Sequence, residues 1–214
     1  MRLAVIAICV ASTAHATPLA PAADERIVYG ELAFDGAPST TIGFVAGVPR
    51  AGERLTLAWW TDATWVAGDL DIEDNRLRVG AGIDAFRTGR VRVRGGLAAA
   101  SRATANTGYR ARAVSTELHL DASVVVRRWA FQLETALEQT WATYVEPSST
   151  YRELVYANAE AGWHAMTART TRVGLAAGVR LGDVELVARA GWQDTGTIEF
   201  LPAVYASLGL DYRF

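Results

Sequence analysis

The chain has 214 residues, a formal charge of −2, hydrophobic residues at half of its positions and a single cysteine. That length suits one domain, the near-balance of charge argues against a nucleic-acid partner, and one thiol excludes a disulfide framework and a thiolate metal centre. All 21 basic residues are arginines, and no apolar run beyond the first segment approaches the ~20 residues of a spanning helix, so any residence in a membrane has to come from strands.

Arg2 precedes an apolar run from Leu3 to Val10 and the small-x-small triplet Ala14-His15-Ala16, which identifies residues 1–16 as a secretory signal peptide that takes Cys9 with it. Ile8 ahead of Cys9 and the shortness of the leader argue against a lipoprotein. Residues 17–25, rich in Pro and Ala, are a flexible lead-in. From there the period is two.

Arg26 to Asp35 alternates Val28, Leu32 and Phe34 against Tyr29, Glu31, Ala33 and Asp35, and the chain returns over Thr41 to Val48 after the turn GAPS. A turn at VPRAGE leads to a third strand with Leu57, Trp59, Ala63 and Trp65 opposed by Thr56, Trp60, Asp62 and Thr64. The acidic loop Gly68 to Asn75 follows. Strands over Arg76 to Arg87 and Arg90 to Arg102 meet at Thr88-Gly89-Arg90, a register that sets Asp84 against Arg94. Ala103 to Ala113 reads as a polar loop. Strands over Val114 to Arg127 and Phe131 to Trp141 meet at Arg128-Trp129, and Val145 to Ala168 lacks alternation and reads as one large loop. Strands over Arg169 to Leu181 and Val184 to Asp194 join at Gly182-Asp183, setting Arg180 against Glu185. A last strand, Ala203 to Phe214, follows a loop.

One face of these strands carries nearly all the charge, with both signs present, and the other carries almost none. Glycines gather on the charged face at Gly80, Gly82, Gly96, Gly174 and Gly178, as crowded guanidinium groups turned inward would require. Alternate connections are short (VPRAGE, TGR, RW and GD), and every long one falls in the opposite set. Ten strands give this division; eight would break it.

In the final strand Ser207-x-Gly209-x-x-Tyr212-x-Phe214 resembles the C-terminal assembly signal of bacterial outer-membrane β-barrel proteins. The resemblance names no subfamily. It implies a closed antiparallel up-and-down transmembrane β-barrel over residues 26–214, with a periplasmic lead-in and the large loop 145–168 outside. It also implies a porin-like protein in the outer membrane of a Gram-negative envelope, with outer-membrane lipid and the barrel-assembly machinery as partners. A barrel of this size has a narrow lumen filled by side chains.

His119 between Glu117 and Asp121 on one face is the only grouping suggestive of general-base chemistry, with Ser115 or Ser123 as a nucleophile; a polar lumen residue satisfied by its neighbours is the simpler reading. Asp69, Asp71, Glu73 and Asp74 lack the Gly and terminal Glu of a calcium loop and read as a solvated surface, so neither a metal nor another cofactor is expected. Tyr151, Tyr156 and Trp163 in the large loop are the candidate recognition surface for an extracellular ligand that the sequence does not name. The expected role is structural or surface-binding, with a narrow solute channel and a barrel-embedded lipid or peptide hydrolase as alternatives.

Overall fold

A computed structural model describes residues 24–34, 38–49, 56–66, 74–165, 168–194 and 204–214. The signal peptide, the lead-in up to residue 23, residues 50–53 of the VPRAGE turn, the acidic loop up to residue 73 and the last loop lie outside these residues; Val48 and Pro49, expected in that turn, end β2. The elements are β1 (Arg26–Phe34), β2 (Pro38–Pro49), β3 (Thr56–Val66), β4 (Asn75–Thr88), β5 (Val91–Ala105), β6 (Tyr109–Val126), β7 (Trp129–Pro147), α1 (Ser149–Leu154), β8 (Gly162–His164), β9 (Arg169–Leu181), β10 (Val184–Asp194) and β11 (Val204–Arg213). Each long strand pairs antiparallel with the next, β7 with β9, and β11 with β1 from Ile27↔Arg213 to Phe34↔Ala206, which closes a ten-strand barrel. At the seam the Phe214 N–H donates to the Arg26 carbonyl at 3.0 Å. No barrel edge is left unpaired, as hydrocarbon demands. The three-residue β8 stands outside the ring, on the extension of β7.

Burial is inverted relative to a water-soluble barrel. Leu208 and Leu175 on the outer face are 68% and 66% exposed, whereas Glu117 and Asp84 on the inner face are fully buried. An apolar outer band this continuous is stable only against lipid, so the barrel is transmembrane. Aromatic residues border the band: Phe34, Trp141 and Trp192 face outward at the long-loop end, and Phe86, Trp129, Phe131, Tyr212 and Phe214 at the short-turn end. Trp59, which fits neither girdle, packs on Phe44 with ring centroids 5.2 Å apart.

The described short hairpins have two-residue loops at Gly89-Arg90, Arg127-Arg128 and Gly182-Asp183, closed by Thr88↔Val91, Val126↔Trp129 and Leu181↔Val184. In each the first loop residue has positive φ, at 51°, 56° and 69° in turn, the geometry of the primed turn that prefers Gly there. The structure thus corrects the three-residue loop expected at Thr88-Gly89-Arg90 and the turn expected at Arg128-Trp129. An extra residue, Ala85, breaks the β4–β5 ladder between Asp84 and Phe86 and leaves the Asp84↔Arg94 pair in register.

The larger correction concerns Ala103 to Ala113 and Val145 to Ala168. The first is a hairpin, β5 running to Ala105 and β6 starting at Tyr109; the second begins as strand, since β7 continues to Pro147. β6 and β7 span 18 and 19 residues against 9 for β1, so one side of the barrel stands above the other as a wall.

Candidate functional site

Two regions carry the polar chemistry: the lumen and the top of the wall. In the lumen, strand alternation turns arginines and carboxylates inward, and register decides who meets whom. Glu138 on β7 accepts from Arg76 Nη2 at 3.0 Å, Arg102 Nη2 at 2.7 Å and Ser115 Oγ at 2.7 Å. Arg76 also reaches Glu117 at 2.8 Å, and Arg78 joins Glu117 at 3.0 Å to Asp62 at 2.6 Å. On the far wall Arg189 of β10 binds Glu31 at 2.8 Å and Glu134 at 3.2 Å. Apart from Arg78–Asp62 and Ser115–Glu138, which join neighbouring strands, these pairs join strands two or three places apart around the ring, so the side chains reach into the lumen. Charge-assisted bonds between such buried groups hold their geometry tightly.

Aromatic rings share the lumen with the ion pairs. Trp60, 2% exposed, projects inward and meets His119 edge-on with centroids 4.8 Å apart. Tyr29 donates its hydroxyl to Asp62 at 2.8 Å. Each of these rings, and Tyr205, lies over the glycine directly opposite in register: Trp60 over Gly80, His119 over Gly96, Tyr29 over Gly43 and Tyr205 over Gly191. A Cβ at any of these glycines would overlap the ring. The inner-face glycines therefore make room chiefly for rings, not for the guanidinium groups expected from sequence.

His119 is sealed in. Neither ring nitrogen has a hydrogen-bond partner, Asp121 Oδ2 stands 4.0 Å from Nε2, and the adjoining cavity, bordered by Asp121, Glu134, Arg172 and Tyr205, measures about 10 Å³, room for about one water. Glu117 is engaged by two arginines and Ser115 by Glu138, so neither is hydrogen-bonded to the imidazole. Of the ion pairs expected from register, Asp84 and Arg94 meet at 2.9 Å. Arg180 and Glu185 do not: Glu185 is bound by Arg213, and Arg180 lies 3.5 Å from Glu25. Backbone register places them opposite as expected, but Glu25, just before β1, draws Arg180 while Arg213 takes Glu185.

At the other end, Ser148 ties the large loop to the wall. Its Oγ donates to the Thr107 carbonyl at 2.7 Å and accepts from the Tyr151 N–H at 3.0 Å as the N-cap of α1, while its own N–H donates to the Gly108 carbonyl at 2.9 Å. β8 adds a short ladder that sets Trp163 beside Tyr144, centroids 5.5 Å apart. The loop is thus presented, not folded away: Tyr156 and Trp163 are exposed, Tyr151 is half-buried, and Leu154 at 79% and Val155 at 67% join them. Sequence reasoning missed this last pair, although two apolar residues ahead of Tyr156 in a polar segment were the available signal. The four residues of the terminal strand separate by face: Ser207 points into the lumen, Tyr212 and Phe214 stack outward at 6.1 Å, and Gly209 lies against the β1 backbone.

No family model and no curated protein matches the sequence. Solved structures do. The β-domain of the Bordetella autotransporter BrkA is 17% identical with a TM-score of 0.45, over 88% of this chain and 97% of that one. The translocator domain of the autotransporter NalP from Neisseria meningitidis is 14% identical with a TM-score of 0.41, over 89% and 86%. An outer-membrane channel of Pseudomonas putida F1 is 12% identical with a TM-score of 0.42, over 95% and 100%. All three are similar to this chain at a level that leaves its role to be argued from its own residues.

Proposed function

We propose that this chain is an integral outer-membrane protein whose sealed barrel is a rigid, non-conducting anchor for a binding surface at the top of the β5–β7 wall. The observation that carries this reading is the lumen: Arg76, Arg78 and Arg189 reach carboxylates two or three strands away around the ring, and the void beside His119 holds about one water. Solute has no path through such a network. The binding half rests on Leu154, Val155, Tyr156 and Trp163, an apolar group held out in water by the Ser148 bonds. Loops held on a rigid scaffold are where such barrels differ from one another.

Planar-bilayer recording tests the first half. The intact protein is expected to show no steady single-channel conductance, and a reproducible open level would replace the anchor reading with the channel one. For the second half, deleting Tyr151 to Trp163 is expected to preserve the gel shift between boiled and unboiled samples and to abolish binding to the surface of a partner cell or matrix; undiminished binding would move the site elsewhere.

A further inference from the structure

The sequence spreads its arginines evenly, but the fold collects six of them at one mouth. At the short-turn end a cavity of about 350 Å³ is walled by Arg87, Arg90 and Arg92 from the β4–β5 hairpin, Arg127 and Arg128 from the β6–β7 hairpin, and Arg180 from the end of β9. Two carboxylates share that wall, Glu25 and Glu185, and both are engaged by Arg213, Glu25 at 2.6 Å. Arg92 lies 3.4 Å from Asp84. Arg87, Arg90, Arg127 and Arg128 have no carboxylate within ion-pair reach among the described residues.

Two features make this more than a solvated rim. Arg87 stands directly across from Arg92 in the β4–β5 register, a like-charge pair that costs a sheet stability; Asp84 meets Arg92, whereas Arg87 has no carboxylate of its own among the described residues. On the lumen side of the mouth, Ala130, Ala176 and Val187 of the adjacent β7, β9 and β10 form a buried apolar patch, so the polar grip on anything in the cavity falls to the arginines. The wall is therefore a cup of guanidinium forks, the geometry that matches tetrahedral oxyanions with paired N–H donors.

We propose that this mouth binds a multivalent phosphate-type oxyanion, held between Arg87 and Arg92 on one side and the Arg127-Arg128 pair on the other. The volume lies at the lower end of small-ligand sites and suits a diphosphate or a phosphorylated headgroup. Either a free solute or a lipid headgroup at the membrane face supplies that chemistry. The site is at the opposite end from the loop surface, so it stands or falls separately from the proposed function.

The test is calorimetric titration of pyrophosphate into the full chain refolded in maltoside micelles free of phospholipid. One saturable site is expected, weakening as salt screens the cup. Arg87→Gln, and separately Arg127→Gln with Arg128→Gln, should each lower the affinity about tenfold or more, the size of a lost charged hydrogen bond. Arg87→Lys should recover part of the loss, and Arg152→Gln, on the far loop, should change nothing. The boiled-versus-unboiled gel shift shows that each variant is a closed barrel. A second arm uses phosphatidylcholine vesicles with and without phosphatidylglycerol. A headgroup ligand predicts that phosphatidylglycerol displaces pyrophosphate and raises the thermal resistance of the unsubstituted protein but not of the arginine variants. A free-solute ligand predicts equal pyrophosphate binding in both vesicles. Absence of saturable binding at millimolar pyrophosphate together with indifference to phosphatidylglycerol overturns the proposal, as does unchanged affinity in both sets of arginine variants.

Discussion

At the scale of single residues, the pairing of Trp60 with Gly80 shows how the lumen is packed. The indole fills the space that a side chain at Gly80 would need, so Gly80→Ala is expected to cost about 1–3 kcal/mol, as overpacking does. The cost should shrink in a Trp60→Ala background; a double-mutant cycle on urea unfolding in lipid measures the coupling, and additive effects would mean that the ring does not rest there. Arg127 is the converse case. It is an exposed non-glycine residue with φ of 56°, where neighbouring hairpins use Gly89 and Gly182, so Arg127→Gly is expected to stabilise the barrel by about 1 kcal/mol in the same assay. Parity alone had set Tyr29 and Trp60 on the charged face. Which glycine receives which ring depends on cross-strand register, and that is a property of two strands at once.

At the scale of elements, Glu138 of β7 is the junction of β4, β5, β6 and β7. It serves Arg76, Arg102 and Ser115 together, so Glu138→Gln leaves buried guanidinium groups without their counter-charge and is expected to destabilise by about 3–5 kcal/mol. Denaturant midpoints in lipid vesicles would show it, and a shift below a fifth of that would mean water reaches the cluster. The strands themselves were legible wherever they cross the membrane, because one face meets hydrocarbon and the other the polar lumen. Above the membrane that contrast disappears. Residues 103–105, 109–113 and 145–147 are strand with water outside, the apolar signal fades, and the sequence looks like loop although the ladder continues. The bulge at Trp141 compounds the difficulty, since it switches which side chains face inward from Thr143 onward.

At the scale of the molecule, the inverted burial makes a directional prediction. Leu208 lies mid-strand on β11 with its side chain in the apolar band, so Leu208→Arg is expected to lower stability in lipid by about 2–4 kcal/mol. The same substitution at Phe34, by the long-loop girdle, should cost under half as much, and equal costs at both sites would contradict a bilayer centred on this band. Closure through β1 and β11 also explains why Glu25 and Arg213, far apart in sequence, meet at 2.6 Å: the seam brings the two ends of the barrel together at the short-turn mouth.

The sequence by itself determined that strands alternate, which face is ionic, where the tight hairpins fall and that the ends should pair, because each of these is written in the period of two and in local turn chemistry. Only the tertiary structure decided which ionic side chains meet inside the lumen, that Glu185 takes Arg213 instead of Arg180, and that six arginines share one mouth. Those outcomes follow from curvature and register, which bring together side chains on strands that no local pattern relates.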